Sequence, residues 1–247
     1  KTLLAKPRSI RKFRSEPIAP EVLQDMLEAA SRASTCGDMQ LYSLIVTQSR
    51  ELREALAPCH FNQPMVTQAP CVITVCADVH RFSMWCEQRD AEPCYDNFAW
   101  FLNGVTDALL AAQNLCVEAE AHGLGICYLG TTIYTAEEIA RILDLPKGVI
   151  PVTTIVVGHP DESPELTDRL PLDAVVHCEK YHHYTSSEID ELWAEKETSE
   201  ETRRLLEENG LPNLAQIFTR NRYRAEDNLA ISRNYFALLK KQGFFNN

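Results

Sequence analysis

The chain has 247 residues, 45% hydrophobic and 24% charged, with a formal net charge of −11. That is the composition of an ordinary folded globular protein with enough chain to bury a substantial core, in one large domain or two small ones. The acidic balance excludes a dedicated nucleic-acid binder, which needs a broad basic surface.

The first residues, KTLLAKPRS, have basic ends and only a short apolar stretch, so no secretory signal is legible. They run into RSIRKFRSEPI (8–18), which gathers Arg8, Arg11, Lys12 and Arg14 around Ile10 and Phe13. PEVLQDMLEAASRAS (20–34) opens with Pro at a first helical position, and its apolar residues follow helical spacing. LYSLIVT (41–47) reads as a strand and SRELREALA (49–57) as a short helix. CVITVCAD (71–78) is a nearly continuous apolar run rich in β-branched residues, the pattern of a buried strand.

Residues 97–123 form the longest expected helix, with one wide apolar stripe and Gly123 at its C-terminus. Asn103, Asp107, Gln113, Asn114 and Glu118 interrupt it, so it is a core helix and not a membrane span. GLGICYLG (123–130) is a short strand ending in Gly. TAEEIARILDL (135–145) carries the capping-box pattern Thr135 with Glu138, and VIPVTTIVVGHP (149–160) is another strand. About four strands interleaved with helices predict an α/β or α+β sandwich. Beyond Pro160 the chain is first Pro-rich and extended. It then becomes strongly acidic over 186–210, where two exposed helices with i,i+4 pairs such as Glu200 with Arg204 are expected. An amphipathic helix over 224–244 closes it.

Nine cysteines without a CxxC, several inside apolar runs, fit a reducing, cytoplasmic setting better than a disulfide scaffold. Four segments are candidates for chemistry, each with a plain alternative. Arg8 to Arg11, as a helical turn, would put two guanidinium groups on one face and, with Ser9, hold a phosphate; the alternative is a solvated basic turn. STCGDMQ (34–40) could present Gln40 and hydroxyl groups to a ligand, or be a helix-to-strand loop. In GLGICYLGTT (123–132) the glycines match neither a dinucleotide nor a phosphate-loop fingerprint; Gly130 would let a flat ligand approach the backbone, or simply end the strand. The histidine-rich spots HCEKYHHY (177–184) and CHFNQ (59–63) complete the list; His177, Cys178, His182 and His183 fit no standard zinc spacing, so surface and loop histidines are expected and no metal. No nucleophile elbow or paired carboxylates stand out; a chain without them is still an enzyme if a cofactor does the chemistry.

Taken together, RSIRKF (8–13), the loop ending in Gln40, DALLAAQNLCVEAEAHGLGICYLG (107–130), LPKGVIPVTTIVVGHPDE (145–162) and DRLP (168–171) resemble the nitroreductase family of FMN-dependent oxidoreductases, over about residues 1–175. With Gln63–Pro64 and Arg169–Leu170–Pro171, the chain looks closer to the flavin reductase and oxygen-insensitive nitroreductase branch. The resemblance implies an α+β fold, a three-layer α/β/α sandwich with a central mixed sheet, in an intertwined homodimer with FMN. It implies a single domain over 1–247, with 160–247 as an extended connection and helical excursion. It also implies that Arg8, Ser9 and Arg11 hold the ribityl and phosphate groups, with Arg169 as a second phosphate arginine. Thr35, Gln40 and Gln63 would lie next to the flavin, and the backbone of Tyr128, Leu129, Gly130 and Thr131 beside its ring.

What the resemblance implies for function is hydride transfer from NADH or NADPH through flavin N5 to a nitroaromatic, quinone or flavin acceptor, by a ping-pong mechanism with no catalytic side chain. The alternatives are a non-catalytic FMN-binding or delivery protein, and an FMN-dependent dehalogenase or dehydrogenase for one metabolite. Pro7, Asp38 and Thr167 depart from the family pattern, where Arg or His, Asn and Lys are frequent. Those departures would weaken FMN retention.

Overall fold

The computed structural model describes residues 8–245. Of these, residues 8–166 together with 231–245 form one compact unit; Thr167–Ala230 form a second. In the first, helix α1 (Pro20–Ser31) leads to strand β1 (Tyr42–Thr47), then α2 (Arg50–Leu56), α3 (Pro64–Gln68), β2 (Cys71–Asp78) and α4 (His80–Glu87). The long helix α5 (Phe98–Ala121) follows, then β3 (Gly125–Leu129), α6 (Ala136–Ile142) and β4 (Val149–Gly158).

The four strands make one sheet in the order β1-β2-β4-β3, every neighbour antiparallel. Among the described residues a parallel element enters only through the isolated bridge Ser9 to Ile126. The fold is α+β, and the two central strands explain the uninterrupted apolar runs. All of β2 is buried because α1 and α5 cover one face and α3 with the N-terminal segment covers the other, so no polar alternation is required.

Alternation along β3 sorts the core. Ile126 joins Ile73, Val75, Ile155 and Leu115 on the face covered by α1 and α5, and Cys127 and Leu129 join Val72, Val156, Ile10 and Val66 on the other. Helix α5 buries Phe101, Gly104, Ala108, Ala111, Ala112, Leu115, Cys116 and Ala119. Its small residues bring it close to the sheet: a Cβ on Gly104 would lie 3.1 Å from both Ala77 Cβ and the Leu41 carbonyl. The expected apolar stripe is wider than this core needs, and Phe98, Leu102, Leu109 and Leu110 stay exposed.

Helix ends follow local chemistry where a partner is near. Ser49 accepts the Leu52 N–H at 3.2 Å and Asn97 the Trp100 N–H at 3.3 Å. The capping box expected at Thr135 does not form. The Thr135 hydroxyl donates instead to the Cys59 carbonyl at 2.7 Å, and Glu138 pairs with Arg141.

The second unit, by itself, holds α7 (Ser186–Thr198), α8 (Glu200–Asn209) and α9 (Leu214–Ile217). Thr185 and Glu188 make a complete capping box. Arg204 pairs with Glu208 at 3.5 Å, not with Glu200 as expected. Helix α10 (Ala225–Lys241) leaves this unit, and its later turns bury Leu238 and Leu239 with Phe244 in the first unit's core. Among the described residues no helix is long and apolar enough to cross a membrane, and no cluster of His, Cys, Asp and Glu is placed to hold a metal ion.

Candidate functional site

Residues 8–14 are extended and contain no helical turn, so the basis for placing Arg8 and Arg11 on one helical face is absent. The reason is β3, an edge strand with open backbone groups. Ile10 N–H donates to the Ile126 carbonyl at 2.9 Å, Arg14 N–H to His159 at 2.9 Å, and Asp161 N–H to Lys12 at 2.9 Å. Gly125 permits the approach, because a Cβ there would lie 2.6 Å from Ile10 Cγ1.

Two carboxylates fasten the segment through its main chain. Glu162 Oε1 accepts the N–H groups of Arg11 and Lys12 at 2.5 and 3.1 Å, and Glu120, raised by burial, accepts a backbone bond from Arg8. The guanidinium groups are left over. Among the described residues Arg8, Arg11 and Lys12 form no ion pair, while Arg14 meets Glu16 at 3.8 Å. Arg8 Nε is buried without a partner and lines a cavity of about 250 Å³ with Glu120, Gly125 and Glu162. The Ser9 hydroxyl and the Arg11 charge act on Cys127, whose thiol burial nevertheless pushes up.

The same face of the sheet carries Gln63. Phe61 and Asn62 precede it, both left-handed with φ of 55° and 52°, a conformation uncommon for residues other than glycine. Three backbone bonds hold this turn: Phe61 N–H to Pro58 at 3.1 Å, Asn62 N–H to Ala57 at 2.9 Å, and Gln63 N–H to His60 at 3.1 Å. Gln63 then stands at the start of α3, half-buried. His60 is fully buried, and its Nδ1 lies 2.8 Å from Thr131 Oγ1. Burial pushes the imidazole down to about 4, so it is neutral at pH 7. Together with the Thr135–Cys59 bond, this pair ties the Gln63 turn to the end of β3.

At that strand end the backbone is the exposed feature. Leu129 is buried, and the Tyr128 ring turns into the core, where its hydroxyl meets the Cys116 thiol and burial raises it above the usual tyrosine range. Gly130 is exposed, with nothing within 4 Å of where a Cβ would stand. Ser9, Arg11, Gln63 and the 128–131 backbone are thereby brought to one edge of the sheet.

Thr35 and Gln40 are not. Their loop precedes β1, the opposite edge, three strand spacings or on the order of 14 Å away. Asp107, buried within α5, accepts the Thr35 hydroxyl at 2.5 Å and the N–H groups of Cys36 and Leu41 at 3.0 and 3.1 Å. Thr35 Oγ1 accepts the Gln40 N–H at 2.8 Å, so its hydroxyl is spent inside the loop. Asp38 and Gln40 have φ of 56° and 50°; a left-handed turn suits Asp as well as Asn, which accounts for Asp38. Arg169 lies in the second unit and donates to Thr167 Oγ1 at 2.7 Å and the Asp168 carbonyl at 2.9 Å. Pro7 lies outside the described residues. Sequence reasoning missed Asp107 and Glu162, although Asp107 had a signal, a carboxylate inside an apolar helical stripe; it expected the CHFNQ histidine on a surface or loop, and His60 is fully buried instead.

Residues 4–159 match the sequence model of the nitroreductase family. A curated NADPH-dependent oxidoreductase of Staphylococcus aureus (strain USA300) is 35% identical over 184 residues, 73% of each chain. A crystal structure of a Bacteroides fragilis NCTC 9343 protein is 48% identical and superimposes with a TM-score of 0.97 over 99% of both chains. The NADPH:FMN oxidoreductase of Vibrio harveyi, solved with NAD+, is 26% identical with a TM-score of 0.82, covering 99% of this chain and 98% of that one.

Proposed function

Because the chain belongs to the nitroreductase family, we propose that it is an FMN-dependent NAD(P)H oxidoreductase acting as a homodimer. The observation that carries this is the convergence at the β3 edge. In an acidic chain, guanidinium groups without ion pairs lie at the start of β3, and an open glycine backbone and the Gln63 turn lie at its end. The donor set fits FMN. Arg8 Nε, buried and without a partner, is an unused donor, Arg11 offers an unneutralised charge, and the Gly130 backbone leaves room for a flat ring.

When bound, FMN would take a hydride from NADH or NADPH and pass electrons to a nitroaromatic, quinone or flavin acceptor in alternating half-reactions. The chain's own residues bind and orient. Ser9 with Arg8 and Arg11 would hold the phosphate and ribityl groups. Gln63 would address the ring edge, and the Gly130–Thr131 N–H groups the ring itself. Thr35 and Gln40, on the opposite edge, would complete a site from the second copy. The exposed Leu102, Leu109 and Leu110 of α5 give that copy an apolar face to cover.

Purified protein mixed with FMN and desalted should keep a yellow chromophore that NADH or NADPH bleaches and menadione restores. Protein that retains no flavin and oxidises neither nucleotide would overturn this reading.

A further inference from the structure

His60 is fully buried and touches the candidate site through one bond, Nδ1 to Thr131 Oγ1 at 2.8 Å; its Nε2 is buried without a partner. A neutral imidazole has one N–H and one lone pair. A proton on Nε2 would bury a donor that bonds nothing. A proton on Nδ1 gives the N–H to Thr131 and leaves only a bare acceptor at Nε2, the less costly orphan. The Thr131 hydroxyl then accepts from His60 and must send its own hydrogen elsewhere. Among the described residues it has no second partner, and Thr131 is half-exposed beside the open space at Gly130.

We propose that His60, protonated at Nδ1, fixes the Thr131 hydroxyl as a hydrogen-bond donor to a carbonyl oxygen or ring nitrogen of the flat ring bound beside Gly130. His60 is a positioning residue here, and Thr131 makes the contact. The backbone explains why the pair can serve this end. The left-handed residues Phe61 and Asn62 hold the His60 turn, and the Thr135–Cys59 bond holds the 130–135 turn against it, so the hydroxyl has little freedom to turn away. The inference rests on the flavin reading above for the identity of the ring.

The test uses the full chain with FMN as the probe. Nitrogen-15 NMR of the histidine ring should show His60 as the Nδ1–H tautomer. Thr131→Val should weaken FMN about two- to tenfold by fluorescence titration, the loss of one neutral hydrogen bond, and Thr131→Ser should restore it. His60→Leu should weaken FMN to the same degree. The double variant should be no weaker than either single one, since both remove one donor. His60→Asn, which keeps an N–H near the Nδ1 position, should retain wild-type affinity. If the histidine variants fail to fold, the wild-type tautomer and the threonine pair still decide the matter. Wild-type protein that binds no FMN overturns the flavin reading. An Nε2-protonated His60, or FMN held equally by wild type and Thr131→Val, overturns the positioned donor alone.

Discussion

Asp107 holds Thr35 across the core: the carboxylate, 2% exposed in α5, accepts the threonine hydroxyl at 2.5 Å while capping the N–H groups of Cys36 and Leu41. One buried acceptor thus shapes the loop that leads into β1. Asp107→Asn presents an N–H group to donors and should cost about 1–3 kcal/mol, the penalty for leaving buried polar groups unsatisfied. Urea denaturation measures this directly. If the loop is part of the flavin site, FMN retention should fall in parallel.

Gly125→Ala should lift the N-terminal segment off β3. The new methyl would stand 2.6 Å from Ile10 Cγ1, against the main body of a buried side chain that cannot yield without moving backbone. A loss of about 1–3 kcal/mol is expected from overpacking. Faster proteolysis near residue 10 would separate this from a general loss of stability.

The cations of residues 8–14 should be unequal. Arg11→Ala should weaken FMN by about 1.5–3 kcal/mol, roughly ten- to a hundredfold, as for a charged hydrogen bond. Arg14→Ala should leave it unchanged, since that guanidinium is spent on Glu16. Fluorescence titration of FMN against both variants makes the comparison.

Leu109→Glu with Leu110→Lys should leave a monomer by light scattering. Both side chains are more than 40% exposed on α5, where a second copy would otherwise cover them. Under the two-edge reading of the site, the monomer should also lose FMN.

Stability should fall in acid through His60. Burial pushes its folded value down to about 4, below the ordinary imidazole value of about 6.5, so between these the unfolded chain binds more protons. The contribution is complete above about pH 6.5 and is lost as pH drops toward 4, with a slope of at most about 1.4 kcal/mol per pH unit. Urea midpoints at pH 4.5, 5.5 and 7 should show this slope in the wild type and a shallower one in His60→Leu.

The sequence by itself determined the elements and the layers. The nearly continuous apolar run 71–78 read as a buried strand, and the wide apolar stripe of 97–123 as a core helix. Burial periodicity is local, so it can be read without a partner. The basic cluster and the glycine at 130 were legible for the same reason: charge and missing side chains are properties of single positions. Hydrogen-bond partners are not. Thr135 had a capping partner three residues away and took the Cys59 carbonyl instead, and Arg8 to Arg11 were pulled straight by the open edge of β3. Asp107 reaches back 66 to 72 residues, and His60 forward 71. Only the tertiary structure decided which acceptors lay near enough to use, and so which arginines were left with charge to offer.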